Sequence, residues 1–264
     1  MVGNKVGGMA LAAAFGAMLR TADGVRIDAA HTPNSSLGPA SLDLGIVVAH
    51  GFTGTWRGLD TRRIVHVLSR YGGVVSFDFR GHGHSGGRST VGDLEVLDVD
   101  AAVKHARAIG YRRIMTVGFS MGAAVVVRHA ALRGGVDGVV SVSGPARWYY
   151  RGTKPMRQVH WAIERWHGRL AARLVKRTRI AVGGWDPVPL PPYEAAAMIA
   201  PTPLLIVHGD SDPFFPLEHA YQLYEHAAEP KELWIEPGYG HAEAAATPDL
   251  VRKIGHWISR TKTP

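Results

Sequence analysis

The chain has 264 residues, 46% of them hydrophobic and 20% charged, and contains no cysteine. These values fit one globular domain with an insertion and exclude disulfides, a thiol nucleophile and thiolate metal sites. The formal charge of +8 is local: Arg147 to Arg179 holds ten basic residues against one acid, Glu164, a net of +9 that exceeds the whole. That is not the composition of a general nucleic-acid binder, and no nucleic-acid partner is expected.

Residues 1–20 form an apolar N-terminal segment. Lys5 ahead of the run Met9 to Leu19 resembles a short signal peptide, but no A-x-A cleavage site follows and the run is too short to span a bilayer. A packed or lipid-touching helix is the plainer reading, a true start at Met18 is a third, and a cytoplasmic protein is expected. Thr21 to Ala30 reads as a hairpin start with Asp23-Gly24 in its turn. Leu44 to Ala49 is continuously apolar, as in a strand buried on both faces, and ends in His50-Gly51-Phe52-Thr53-Gly54. A helix is expected over 58–70, a strand over Val74 to Phe79 and a helix over Asp93 to Ile109. Strand Ile114 to Val117, helix Ala123 to Ala131 and strand Val136 to Val142 follow. This alternation predicts a mostly parallel sheet with helices on both faces.

The pattern breaks at Gly144-Pro145. Residues 145–200 carry no strand signal and read as a helical, basic cap inserted between the two parts of the core, 21–144 and 201–264. Pro155 suits a first helical turn, and Val159, Ile163, Trp166, Leu170 and Leu174 recur at spacings of four, three, four and four, one apolar stripe of a helix. The stripe, with Phe52, Trp148 and Tyr149, is expected to roof an apolar pocket. Arg157, Arg165, Arg169, Arg173, Lys176 and Arg177 lie largely off it, either as a solvated face or as a surface for anionic lipid. The sheet resumes at Leu204 to Val207, then a helix over Leu217 to Ala227, a strand over Glu232 to Ile235 and a last helix over Leu250 to Arg260.

The stretch with chemistry in it is Gly118-Phe119-Ser120-Met121-Gly122, between a strand and a helix. Strand, tight turn and helix are what a nucleophile elbow needs, with glycine wherever a side chain would strike the neighbouring strand or helix. A serine hydroxyl needs a base in reach, and the base needs an acid to fix its tautomer. On a sheet-borne elbow these follow in the order Ser, acid, His, each after a strand. His208-Gly209-Asp210-Ser211-Asp212 and Gly238-Tyr239-Gly240-His241 stand in those two places. Asp212 is the preferred acid, with Asp210 its competitor as a residue that braces the turn; His226 and His256 fall inside helical patterns, leaving His241 as the base. The amides of Met121 and Phe52 are the expected oxyanion donors, and Gly51 lets the backbone approach. Candidate substrate-binding residues are Gly51, Phe52, Met121, Trp148, Tyr149 and Trp166. Gly81-His82-Gly83-His84-Ser85-Gly86 matches G-x-G-x-x-G, but no helix begins there and no ribose-binding acid follows; His82 and His84 have no third ligand at metal spacing. No cofactor or metal is expected.

Together these motifs resemble the α/β-hydrolase superfamily, on the side of carboxylesterases and monoacylglycerol-lipase-like serine hydrolases, over residues 45 to 260. Serine at the elbow separates the chain from haloalkane dehalogenases and epoxide hydrolases, whose elbows carry aspartate. The resemblance implies an α/β-hydrolase fold with a helical cap, and cleavage of small-molecule acyl esters through an acyl-enzyme. A thioesterase, a C–C bond hydrolase or an amidase would use the same triad, and a non-catalytic binding protein on this fold is the rival from another class.

Overall fold

The computed structural model describes residues 14–261; the signal-peptide and start-site readings fall largely on residues 1–13, outside that range. The apolar runs become the central strands β3 (Leu44–Ala49), β4 (Gly73–Phe77), β5 (Arg113–Phe119), β6 (Gly138–Val142) and β7 (Leu204–Gly209). Every residue of β3, β4, β6 and β7 is buried, which is why their sequences show no polar alternation. The pleat still sorts them. Leu44, Ile46 and Val48 enter the core shared with α1 (Leu59–Leu68), α8 (Ala242–Ala245) and α9 (Pro248–Arg260). Val47 and Ala49 enter the opposite core, shared with α2 (Val96–Ile109), α3 (Met121–Leu132), α6 (Pro192–Ala197) and α7 (Glu218–His226).

With the hairpin β1 (Phe15–Arg20) and β2 (Arg26–Thr32) at one edge and β8 (Lys231–Glu236) at the other, the strand order is β1-β2-β4-β3-β5-β6-β7-β8. Pairing is antiparallel from β1 through β4 and parallel from β4 to β8. The order reverses at β3, which lies between β4 and β5, and the crevice beyond the carboxyl ends of β3 and β5 is where such sheets place ligands.

Three expectations are corrected. The apolar segment does not continue as a helix through Leu19: Phe15–Arg20 is a strand in register with β2, and the turn is closed by the Val25 amide donating to Thr21 Oγ1 at 2.8 Å. Ala17 and Leu19 alternate inward while Met18 and Arg20 face out, so the apolar residues from Phe15 to Leu19 serve an edge strand. The single cap helix is in fact two, α4 (Lys154–Glu164) and α5 (Trp166–Lys176), with Arg165 extended between them (φ −97, ψ 138). The break has a steric cause. A Cβ on Gly168 would stand 2.5 Å from the Trp161 carbonyl oxygen and 2.7 Å from Ala162 Cα, so only glycine lets α5 fold back against α4. The apolar stripe is thereby divided. Val159 and Ile163 face inward, whereas Trp166, Leu170 and Leu174 are 70%, 45% and 71% exposed. The cap is also shorter than 145–200: Ala195, Ala196 and Ile199, in and after α6, are core residues of the layer over the sheet.

Candidate active site

Each candidate catalytic side chain leaves the carboxyl end of a strand. Ser120 follows β5 at φ 51, ψ −116, a left-handed φ that an L residue adopts only when its surroundings impose it. They do so here. The Ser120 amide donates to Val142 O at 2.9 Å. A Cβ on Gly118 would meet Gly122 O at 2.3 Å, and one on Gly122 would meet Ala49 O at 2.4 Å, so strand, turn and helix interlock only with both glycines.

His241 Nε2 lies 2.9 Å from Ser120 Oγ, and His241 Nδ1 lies 2.7 Å from Asp212 Oδ2. A carboxylate only accepts, so Nδ1 carries the proton, Nε2 is bare, and the serine hydroxyl donates to it. The Asp212 side chain is fully buried, and its other oxygen accepts the amides of Phe214 (2.8 Å) and Phe215 (3.1 Å). Behind it the buried His208 donates from Nε2 to Phe215 O at 2.8 Å, and burial lowers its pKa. The Phe214 ring stacks on His241 with centroids 4.2 Å apart and fixes the plane of the imidazole. Asp210 takes a different part: it accepts the Gly238 amide at 2.7 Å and the Ser211 hydroxyl at 3.0 Å, bracing the histidine loop across the strand ends.

The loop after β3 supplies the second wall. His50 Nδ1 donates to Gly51 O at 2.7 Å while its Nε2 accepts the Phe79 amide at 3.1 Å. The Thr53 amide donates to His82 Nε2 at 3.2 Å, and the Gly54 amide to Gly51 O at 2.9 Å. Burial holds the His82 pKa at about 3, so this ring is a neutral acceptor. Among the described residues the Phe52 amide has no acceptor, and neither does the Met121 amide at the first position of α3. Both residues line the same cavity as Ser120.

That cavity, of about 1010 Å³, lies between the strand ends and the cap. Of the candidate substrate-binding residues, Gly51, Phe52, Met121, Trp148 and Tyr149 line it; Trp166 does not, because the break at Arg165 turns it to solvent. The roof comes instead from Val159, Trp161 and Ile163 of α4 and from Ala171, Ala172 and Val175 of α5. Trp185 was not anticipated: it packs on Trp148 at 5.1 Å and donates from Nε1 to Thr90 O at 2.6 Å. Glu243, two residues after His241, also lines the cavity and was missed. Its signal was a single carboxylate in an otherwise alanine-only run, Ala242 to Ala246. Among the described residues no group of three or more His, Asp or Glu side chains is arranged to hold a metal ion, and no helix is long and apolar enough to cross a membrane.

An eight-stranded, mostly parallel sheet with a serine elbow at its switch point defines a hydrolase of the α/β class. The chain belongs to the α/β hydrolase family, whose model matches residues 46–254. A monoacylglycerol lipase of Mycolicibacterium smegmatis is 30% identical over 238 residues, 74% of this chain and 80% of that protein. The Pyrococcus furiosus esterase Pf2001 superposes with a TM-score of 0.74 at 24% identity, covering 99% of this chain and 96% of its own. An α/β serine hydrolase of Xanthomonas campestris, described as lacking a lid, superposes at 0.65 with 21% identity, covering 95% of each chain.

Proposed function

We propose that the protein is a serine hydrolase of carboxylic esters with an apolar acyl chain. The observation that carries the reading is the hydrogen-bonded series Ser120–His241–Asp212 opening into an apolar cavity. Ser120 Oγ attacks the acyl carbon as His241 Nε2 takes its proton, and Asp212 stabilises the resulting imidazolium. The amides of Phe52 and Met121 receive the oxyanion, each donor worth roughly 2.7–4 kcal/mol. His241 then protonates the leaving alkoxide, the acyl-enzyme forms, and water repeats the sequence to release the acid and restore Ser120. Similarity to a monoacylglycerol lipase and to an esterase favours an ester over a thioester, amide or C–C bond. Labelling with a fluorophosphonate, followed by an ester chain-length series beside thioester and amide analogues, tests the reading. Labelling confined to Ser120 and fastest turnover of medium or long acyl esters are expected. Labelling that survives Ser120→Ala, or faster turnover of the amide, would overturn it.

We also propose that the outer face of the cap rests on anionic lipid. Trp166, Leu170 and Leu174 form an exposed apolar strip on α5, flanked by Arg165, Arg169, Arg173 and Arg177. An exposed apolar strip bordered by cations is the pattern of a helix lying in a lipid headgroup region. Its other side, Ala171 and Ala172, lines the cavity, with the exposed Val175 at the rim, so a docked cap would set the cavity beside the membrane. Sedimentation with phosphatidylglycerol vesicles at low salt should capture the protein, and about 0.5 M salt should release it because the charges are screened. Reversing Arg165, Arg173 and Arg177 to Glu should abolish capture and leave turnover of a soluble short-chain ester unchanged. Arg169 is left intact because it donates to Ile163 O and Glu164 O and so closes the end of α4. Capture that ignores both salt and charge reversal would refute this surface.

A further inference from the structure

Glu243 stands out among the cavity residues. A carboxylate beside a developing oxyanion works against catalysis through its charge. This one nevertheless reaches the oxyanion loop: Glu243 Oε1 accepts the Gly51 amide at 2.6 Å. A Cβ placed on Gly51 would stand 3.2 Å from Glu243 Oε2 and also 3.2 Å from Ser120 Cβ, so the carboxylate and the nucleophile flank the same peptide.

The hydrogen bonds of this loop indicate what the contact does. Of the consecutive amides at 51, 52, 53 and 54, three are committed: Gly51 to Glu243, Thr53 to His82 Nε2 and Gly54 to Gly51 O. The Phe52 amide alone is uncommitted among the described residues, and it is the expected oxyanion donor. The tie at Thr53 comes from the loop after β4. The tie at Gly51 comes from the short helix Ala242–Ala245 that His241 caps, anchored by Arg63 donating to the carbonyl oxygens of Glu243 and Ala246 at 3.0 and 3.2 Å.

We propose that Glu243 is a positioning residue for the oxyanion hole: by holding the Gly51 amide it aims the Phe52 N–H at the reacting carbonyl and fixes the distance between that donor and His241. The inference rests on the ester-hydrolase reading above. Its effect belongs to the transition state, since the donor it aims is used only when charge has moved onto oxygen. The adverse charge is tolerated because a carboxylate accepts an amide more strongly than a neutral group does.

The test compares Glu243→Ala with Glu243→Gln, which keeps an acceptor oxygen at the same reach. In the alanine variant kcat should fall about 10- to 100-fold with little change in KM, less than the 10²- to 10³-fold loss of a donor removed outright. Affinity for a trifluoromethyl ketone, which mimics the tetrahedral state, should weaken by the same factor. Glutamine should recover most of both losses. A second measurement is independent of turnover: the Gly51 amide proton should resonate well downfield in the wild type and move upfield in the alanine variant. An unmoved Gly51 resonance defeats the tie whatever the protein hydrolyses. A kcat within twofold of wild type in the alanine variant, equal losses in both variants, or a KM rise without weaker inhibitor binding overturns the positioning role. Failure of the ester-hydrolase reading is distinct: wild type with no ester turnover and no fluorophosphonate labelling.

Discussion

Replacing Asp212 by Asn is a sharp test of the site, because the structure dictates how the new amide must lie. Oδ1 accepts the amides of Phe214 and Phe215, and Oδ2 accepts His241 Nδ1–H. If the asparagine NH₂ took the Oδ1 position, two buried N–H donors would face a donor, at about 1–3 kcal/mol each. The NH₂ therefore occupies the Oδ2 position and donates to His241 Nδ1. That forces the imidazole proton onto Nε2, where it points at Ser120 Oγ, 2.9 Å away, and the base is lost. Wrong-tautomer enzymes of this kind lose roughly 10⁴ in kcat, equivalent to about 5.4 kcal/mol. The variant should fold, since it replaces an isosteric side chain and keeps both amide bonds. The assay is kcat for a p-nitrophenyl ester, with melting temperature as the control. Asp210→Asn, which alters the brace to Gly238 and the contact with the Ser211 hydroxyl, should stay within a few-fold of wild type in kcat. A loss below 100-fold at Asp212, or an equal loss at Asp210, would refute the reasoning.

Gly122→Ala places a methyl 2.4 Å from a β3 carbonyl oxygen, and backbone there has nowhere to move; overpacking of this kind costs about 1–3 kcal/mol, seen as a melting temperature several degrees lower and a slower rate of fluorophosphonate labelling. Ala172→Phe fills the cavity from α5 and should shift the preferred ester to a shorter acyl chain, read from kcat/KM across the series; an unchanged optimum would place the acyl chain elsewhere. Burial lowers the pKa of His82 and His219 to about 3 and of His129 to about 4. An unfolded histidine binds its proton near 6.5, so between those values the unfolded chain holds more protons and stability falls as pH drops. Asp98, raised to about 7 by burial despite Arg80, acts in the opposite sense and offsets one histidine. The urea midpoint should therefore decline from pH 6.5 toward pH 4; a flat midpoint over that interval would count against neutral buried imidazoles.

The parts of the fold that announced themselves were those where one local rule decides. A strand covered on both faces must be apolar throughout, so Leu44–Ala49 could be delimited to the residue. Ser120 was legible because strand, glycine-flanked turn and helix follow one another within nine residues, although the backbone that crowds Gly122 belongs to β3. Asp212 and His241 were legible only through chain order and strand ends, since nothing in a lone Asp or His marks it. What stayed hidden depends on contacts distant in sequence. Phe15–Arg20 is a strand only because β2 lies beside it. A 3.6-residue period runs unbroken through Arg165, and the requirement that Gly168 touch the backbone of α4 is invisible until both helices are placed. Glu243 gains its significance from a peptide 192 residues away.

The α4–α5 hairpin turns on one extended residue and has just two buried positions, Gly168 and Ala172. A segment so lightly tied to the core contributes little to holding the fold, so its amino acids can change without endangering the nucleophile beneath. Selectivity and foldedness are thereby uncoupled. Lineages can rewrite the roof, or drop it, while inheriting the same chemistry, and an engineer can randomise Val159, Ile163, Ala171 and Val175 in a library whose members mostly still fold. On the proposed ester-hydrolase reading, adaptation to a new ester begins in this hairpin, where a wrong substitution costs a substrate and not the protein.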